Sequence, residues 1–137
     1  MNADIVREWL VIVDEDLLAA WHCARGEPPV PKRAAFFVQQ AAEKLVKVIL
    51  VAWDIRPRHT HDIAEPIDLV PEAHPGRPAI AKLHRFTRYA VVFRYPLEEA
   101  AAEPVAEPTD IDSWIKEIRA LRADFERWLD RQEPEQP

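Results

Sequence analysis

The sequence predicts an all-α fold, an up-and-down bundle of four to five helices. Only 2 of its 137 residues are glycine, too few for the tight turns of a β-sandwich or barrel. Its 13 prolines bracket long stretches with apolar residues at helical spacing, so they indicate helix boundaries. Apolar types make up 48% and charged types 31%, a composition that can bury a real core. We expect one domain over residues 1–137, with a flexible loop at about 96–108 and a frayed tail at 133–137.

The first two predicted helices cover residues 3–25, with Asn2 as N-cap, and residues 32–54. The apolar stripe of the first is predicted to comprise Ile5, Trp9, Ile12, Val13, Leu17, Ala20 and Trp21. Asp16 lies close to this stripe, so we expect it to be partly buried and to pair with a cation of another helix. The second helix is predicted to be central because its apolar face is wide. That face comprises Ala34, Phe37, Ala41, Leu45, Val48 and Ala52, widened by Val38, Ile49 and Trp53.

The remaining helices are predicted over residues 62–70, 77–94 and 109–132. The first of them is short or broken because it holds Pro66, and Asp62 can cap it. The next is expected to turn Ile80, Leu83, Phe86, Ala90 and Phe93 inward. The last is expected to begin with Thr109 or Asp110 as its cap. Its heptad seam comprises Ile111, Trp114, Ile118, Leu121, Phe125 and Trp128.

Two consequences for packing follow from these helices. We expect Leu45 and Phe125 to be deeply buried, since both stand in the middle of an apolar stripe. The five tryptophans all fall on apolar stripes, which predicts core packing. An oligomer interface is the main alternative for a tryptophan.

Several classes of function are excluded by composition. Gly26 and Gly76 are 50 residues apart, so neither a dinucleotide-binding fingerprint nor a P-loop can be present. The single cysteine, Cys23, excludes a disulfide framework and a cysteine-rich zinc site, and it suits a reducing cytoplasm, where we expect the protein. No uncharged apolar run is long enough to span a membrane, and acids within the first apolar run argue against a signal peptide.

Metal binding and nucleophilic catalysis have little support in the sequence. His59, His61 and Asp62 form an H-x-H-D cluster of possible ligands, but the same residues can cap the following short helix. The only serine, Ser113, and Cys23 both lie on predicted helices without an adjacent base at the required geometry. We therefore assign no metal site and expect no cofactor.

A basic segment stands out in a chain whose net charge is −6. Residues 73–96 contain no acid and five cations, which are Arg77, Lys82, Arg85, Arg88 and Arg94. Lys82, Arg85 and Arg88 recur at a spacing of three and share a face, with Tyr89 beside them. Arginine can fork to phosphate oxygens and tyrosine can stack on a base, so these residues and Arg94 are the candidate nucleotide- or RNA-binding site. The alternative is that the cations pair with the acidic first and last helices.

Four runs of the sequence resemble the HEPN domain, the higher eukaryotes and prokaryotes nucleotide-binding domain. They are REWLVIVDEDLLAAW at 7–21, AAFFVQQAAEKLVKVILVAW at 34–53, HTHDIAEPIDLV at 59–70 and RFTRYAVVFRYP at 85–96. The resemblance implies a four- to five-helix bundle that commonly pairs as a homodimer. It also implies that the protein works together with a minimal nucleotidyltransferase, as members of the family do in toxin–antitoxin-like pairs.

Some members of the family that the chain resembles are metal-independent endoribonucleases. They use an arginine and a histidine four to six residues apart, brought together around RNA by the dimer. Arg56 and His61 have this spacing but follow the second long helix, where the family motif is not expected. Arg88 and Arg94 have no histidine four to six residues after them. The resemblance therefore favours binding of a nucleotide, RNA or a nucleotidyltransferase, without catalysis by the chain itself.

Two alternatives stay open. The first is a metal-independent endoribonuclease that uses Arg56 and His61, or Arg88 and Arg94 with a histidine elsewhere. The second is a structural dimerisation module whose cations pair only with its own acids.

Overall fold

Six α-helices and one 3₁₀ helix make up the part of the chain that the structure, a computed structural model, describes. This part comprises residues 1–59, 62–94 and 106–132, with side chains for all of these except 91–94. The helices are α1 (Ala3–Arg25), α2 (Pro31–Ala52), α3 (Ala64–Leu69), α4 (Arg77–Ala81), the 3₁₀ helix (Lys82–Phe86), α5 (Thr87–Arg94) and α6 (Pro108–Gln132). No strand occurs within these ranges, and the predicted all-α bundle is confirmed. The loop expected at 96–108 and the tail at 133–137 lie almost wholly outside them.

Helix α1 begins as predicted, but a different face is buried. The side chain of Asn2 accepts from the backbone N–H of Asp4 at 3.1 Å and caps the helix. The residues buried on α1 are Val6, Leu10, Val13, Leu17, Ala20 and Ala24. The prediction is confirmed for Val13, Leu17 and Ala20. It is wrong for the other four members of the expected stripe, which are 38% to 48% exposed: Ile5, Trp9, Ile12 and Trp21.

The rotation of α1 follows from its two neighbours, α2 and α6. Three ion pairs join one edge of α1 to α6: Arg7–Asp130 at 2.8 Å, Arg25–Asp112 at 2.6 Å and Asp14–Arg122 at 2.6 Å. On the other edge, Asp16 binds Lys44 of α2 at 2.6 Å and both side chains are largely buried, which confirms the pairing expected for Asp16. The face between these edges turns inward, and the stripe with Ile5, Trp9 and Ile12 is left at the surface.

Helix α2 is the centre of the bundle, as predicted, because it packs against α1, α3, the 3₁₀ helix, α5 and α6. Leu45 is completely buried within it, as expected. The helix ends in a Schellman motif, in which Asp54 has a φ of 58°. The N–H of Asp54 donates to the carbonyl of Val51 at 3.0 Å, and that of Ile55 donates to the carbonyl of Leu50 at 2.9 Å. This turn fixes the position of Trp53 at the end of α2.

The helix predicted over 77–94 is divided into α4, the 3₁₀ helix and α5. Its inward residues Ile80, Leu83, Phe86 and Ala90 are buried as expected, whereas the side chain of Phe93 lies outside the described residues. The first three of these are spaced by three. A 3₁₀ helix has three residues per turn, so it keeps such residues in one line toward the core.

Helix α6 begins one residue earlier than predicted, and neither Thr109 nor Asp110 is its N-cap. Pro108 is the first helical residue, where its missing N–H costs nothing. The carboxylate of Asp110 instead accepts from the N–H of Glu107 at 3.0 Å, which is half of a capping box.

The seam of α6 is partly as predicted. Its buried residues are Ile111, Ile115, Ile118, Phe125 and Leu129, so Ile115 and Leu129 were missed. Trp114, Leu121 and Trp128 pack against the core while staying partly exposed. Phe125 is only 5% exposed, as expected.

Helix α3 is short, and a residue before it contributes to its start. The N-cap of this short helix is Ile63 rather than the expected Asp62, but the Oδ1 atom of Asp62 accepts from the N–H of Ala64 at 3.0 Å and supports the start of the helix. Within the described ranges, no helix combines the length and the apolar character needed to cross a bilayer.

Candidate functional site

The candidate binding residues Lys82, Arg85 and Arg88 are all exposed at the surface. Side chains at positions i and i+3 of a 3₁₀ helix lie directly above one another, so Lys82 and Arg85 stand in line. Arg88 follows at the same spacing in the first turn of α5. The chain therefore brings these three residues to one exposed edge, which we call the basic ridge.

Arg85 contacts both α6 and its own 3₁₀ helix. Its guanidinium donates to both carboxylate oxygens of Glu117 on α6 and to the carbonyl of Lys82, the last at 2.7 Å. It also lies over the ring of Phe86, 4.3 Å from the centroid. The pairing of cations with the acidic last helix, which the sequence left open, therefore occurs at Arg85. Lys82 makes no ion pair with any residue of the described ranges.

Tyr89 and Arg94 differ from the basic ridge in their placement. Tyr89 is half-buried, and its ring packs against Trp114 at a centroid distance of 5.4 Å. Phe86 packs against the same tryptophan at a centroid distance of 5.2 Å. The rings of Phe86 and Tyr89 therefore hold the basic ridge against α6. Arg94 is the last residue of α5, and its side chain lies outside the described residues.

The possible nuclease pair is only half described. Arg56 is exposed in the loop after α2, whereas His61 lies outside the described residues. His59 of the same loop lines a shallow cavity of about 180 Å³ together with Ile5 and Trp9 of α1 and Val51 of α2. Across the residues that the structure describes, no group of three or more histidine, cysteine or acidic side chains could hold a metal ion.

A buried polar cluster on α2 was missed as a structural feature, although its letters belong to the QQAAEK run. Gln39 is fully buried and Glu43 is 5% exposed. One carboxylate oxygen of Glu43 accepts from Gln39 at 2.9 Å and the other accepts from Lys47 at 2.8 Å. Gln40 donates to Gln39 at 2.6 Å. The buried charge of Glu43 is thus paired and hydrogen-bonded, as buried charges must be.

A cleft of about 360 Å³ lies between α6 and the segment that leads into α4. Four of its lining rings touch in series: His74–Trp53 at 4.6 Å, Trp53–Trp128 at 5.8 Å and Trp128–Phe125 at 5.9 Å between centroids. Three charged residues also line it, namely Asp124, Arg127 and Arg131. We call this site the aromatic cleft. The sequence did not reveal it, because its rings come from three distant segments: the two tryptophans and Phe125 were interpreted as core, and His74 was assigned no role.

His74 is held in the aromatic cleft by a local turn. Its Nδ1 atom accepts from the N–H of Gly76 at 2.9 Å, so the proton of the neutral ring is on Nε2. Burial lowers the pKa of His74 below its usual value. A Cβ at Gly76 would stand 3.2 Å from the His74 ring, a tight contact that the ring would have to relieve by a small shift, whereas glycine leaves the ring in place. The Pro75-Gly76 pair that follows His74 was the one sign in the sequence of a tight turn at this histidine.

The lowered pKa of His74 predicts a stability that falls in weak acid. The unfolded chain binds a proton at a higher pH than the folded chain does, so the free energy of unfolding decreases as the pH drops through about 6.5. Urea unfolding at about pH 7.5 and about pH 5.5 should show this decrease, and His74→Phe should reduce it. The matched control His84→Phe alters an exposed histidine. An equal pH dependence in the wild type and the His74 variant would contradict the prediction.

The comparison with known families can now be set beside this geometry. The HEPN domain model matches residues 6–128. No curated protein and no solved structure matches the chain significantly. The family match extends from the first turn of α1 into the last two turns of α6, over the whole helical arrangement described above. The family resemblance read from the sequence is thereby confirmed, and the chain belongs to the HEPN domain family.

Proposed function

We propose that this chain acts as a single HEPN domain in the cytoplasm and binds the phosphates of a nucleotide or of RNA through the basic ridge, without catalysis of its own. The observation that carries the proposal is the exposed line of Lys82, Arg85 and Arg88 in a chain of net charge −6. Exposed cations on a fixed helical edge suit phosphate oxygens, which accept charge-assisted hydrogen bonds.

The basic ridge also has a rigid base, which favours binding over a merely solvated surface. Phe86 is fully buried beneath Arg85, and Tyr89 rests on Trp114. A cation held on packed rings loses less freedom when it binds an anion. Glu117 neutralises Arg85 in the free protein, and a phosphate would compete with this carboxylate for the guanidinium.

Binding of a labelled single-stranded RNA, followed by fluorescence anisotropy, tests the basic ridge. Affinity should fall steeply between about 50 mM and about 200 mM salt, since each neutralised phosphate releases counterions. Lys82→Ala and Arg88→Ala should each weaken binding roughly tenfold, the loss expected for one charge-assisted hydrogen bond. Glu117→Gln should strengthen binding, because it removes the carboxylate that holds Arg85.

Arg119→Ala is the matched control for these variants. Arg119 is exposed on α6 two residues from Glu117, which places it on the opposite side of that helix. The substitution removes one positive charge at a site outside the basic ridge, so RNA affinity should hardly change. If the Arg119 variant lost as much affinity as the Arg88 variant, binding would reflect overall charge and the proposed site would be wrong.

We further propose that the protein is a homodimer joined through the exposed stripe of α1. Ile5, Trp9 and Ile12 recur at helical spacing on one face, and Val51 of α2 continues this apolar surface. A row of large apolar side chains in water is typical of an interface rather than of a monomer surface. A second copy of the chain fits it because members of the resembled family commonly pair.

Sedimentation or light scattering tests the dimer at micromolar concentration. The wild type should have twice the mass of one chain, and Ile12→Glu should have the mass of one. Val11→Glu is the matched control, since Val11 is 53% exposed on a different face of α1 and should leave the dimer intact. A wild-type mass near one chain would overturn this proposal.

One observation favours the endoribonuclease alternative. The loop that carries Arg56 and His59 borders the same cavity as Ile5 and Trp9 of the stripe. A dimer formed through that stripe would bring two copies of the loop near each other. RNA incubated with the protein and a chelator should stay intact under our proposal. Cleavage that His61→Ala abolishes would establish the alternative.

A partner role remains compatible with the basic ridge. We propose a minimal nucleotidyltransferase, encoded beside this chain in a toxin–antitoxin-like pair, as the protein partner that the family resemblance favours. Co-expression of this chain with such a neighbour, followed by size-exclusion chromatography, should give one complex. If both proteins elute separately, or if no such neighbour is encoded, the partner proposal fails and the RNA-binding proposal is unaffected. If neither RNA nor a partner binds, the chain is a structural dimerisation module.

A further inference from the structure

The aromatic cleft has the features of a small-molecule site. Its volume of about 360 Å³ falls within the range of ligand pockets, at the lower end. Its lining is mainly apolar, with a few charged groups from one stretch of α6. Pockets of this composition bind ligands by burying an apolar body and fixing its orientation with a few polar contacts.

Two hydrogen-bond donors belong to residues that line the cleft, one of them buried and one on the half-buried His74. The Nε1–H of Trp53 is buried and has no acceptor within the described ranges. A buried donor without a partner is costly, so an acceptor supplied by a ligand would be favourable. The Nε2–H of His74 is the second donor, since Nδ1 of this ring is occupied by the N–H of Gly76.

The charged residues of the cleft favour an anion. Arg127 and Arg131 are four residues apart and therefore neighbours on one side of α6. Arg127 pairs with Asp124, but both side chains are about two-thirds exposed, so this pair is weak. Arg131 makes no ion pair within the described part of the chain.

We propose that the aromatic cleft binds a small planar aromatic anion, with its ring among His74, Trp53 and Trp128 and its anionic group on Arg127 and Arg131. A further ring extends the series already present, because aromatic pairs attract at centroid distances of about 4.5–7 Å. An acceptor atom on the ring edge suits the Nε2–H of His74. A nucleoside monophosphate and an aromatic carboxylate both have this chemistry. The inference stands apart from the basic ridge and does not depend on it.

Isothermal titration calorimetry with two probes tests the cleft. Adenosine monophosphate represents the nucleotides, and indole-3-acetate represents the aromatic carboxylates. At least one should bind saturably, and adenosine, which lacks the anion, should bind roughly tenfold more weakly than its monophosphate. The tighter of the two probes identifies the source of the ligand. If neither probe binds at millimolar concentration, the proposal is wrong.

Two variants separate the cleft from the rest of the surface. Arg131→Gln should weaken binding roughly tenfold, whereas the matched control Arg119→Gln should not. Ala79 lines the cleft, so Ala79→Phe should fill it and abolish binding, with circular dichroism as the check that the fold persists. An unchanged affinity in a folded Ala79→Phe protein, or equal losses in the two arginine variants, would overturn the proposal.

The same titrations distinguish this site from the proposed RNA-binding site. Lys82→Ala should weaken RNA binding and leave the affinity for the aromatic anion unchanged. If the probes bind normally while the ridge variants do not affect RNA, the proposed function fails and the cleft stands. If RNA binding depends on the basic ridge but no probe binds, only the cleft proposal fails.

Discussion

Leu45→Ala is expected to lower the free energy of unfolding by about 2–5 kcal/mol, one of the two largest effects of any single substitution proposed for this protein. Leu45 is completely buried in the middle of α2, the helix that packs against nearly every other element. Truncation removes the transfer free energy of the side chain and leaves a cavity. Neighbours on several helices would have to move together to fill that cavity. The free energy of unfolding should therefore fall by the whole cost of the cavity. Urea unfolding of the purified protein measures the change.

Leu18→Ala is the matched control for this substitution. Leu18 also lies in a long helix, but half of it is exposed to solvent. Its loss should change the free energy of unfolding by less than about 0.5 kcal/mol, because no cavity forms. Alanine has a slightly higher helix propensity than leucine, which acts in the same direction for both variants. If Leu45→Ala were as mild as Leu18→Ala, α2 would not be the centre of the bundle.

The long helices α1, α2 and α6 and their order could be predicted from the sequence because prolines and capping residues act locally, whereas the division of the helix expected over 77–94 was not predicted. Asn2 caps α1 and Asp62 supports α3 through contacts within three residues. The rotation of α1 could not be predicted, since this helix has two apolar stripes with similar spacing. The choice between them depends on ion pairs to α6, such as Arg7–Asp130, which join opposite ends of the chain. Periodicity alone contains no information about such contacts.

The basic ridge and the aromatic cleft show the same contrast between local contacts, which a sequence predicts, and contacts between distant segments, which it does not. Lys82, Arg85 and Arg88 are close in sequence, so their common placement followed from spacing, and the 3₁₀ helix strengthens it. Glu117, which neutralises Arg85, is far away in sequence. The sequence predicted a pairing with the acidic first and last helices but did not identify this residue. The cleft needs Trp53 and Trp128 to meet, which only the packing of α2 on α6 brings about. Sites built across helices are therefore the part that a single sequence does not reveal.

The buried charge of Glu43 leads to the second large effect. Gln39 and Lys47 both donate to this carboxylate, and Gln39 is fully buried. Removing the carboxylate would leave the Gln39 amide without this acceptor and Lys47 without this counter-ion. The loss of one partner from a buried pair costs about 3–5 kcal/mol, because the remaining group stays desolvated. Lys47 is partly exposed and can reach water, so the lower end of that range is expected.

Glu43→Ala should therefore lower the free energy of unfolding by about 3 kcal/mol in urea, and Glu43→Gln by less, because its amide oxygen can still accept from Gln39. Glu15→Ala, at an exposed position of α1, is the control and should stay within about 0.5 kcal/mol. A double-mutant cycle of Glu43→Gln with Lys47→Met should give a coupling of at least about 0.5 kcal/mol, since the two residues touch. A loss in Glu43→Ala no larger than that in Glu15→Ala would show that the polar cluster of α2 contributes no stability to the bundle.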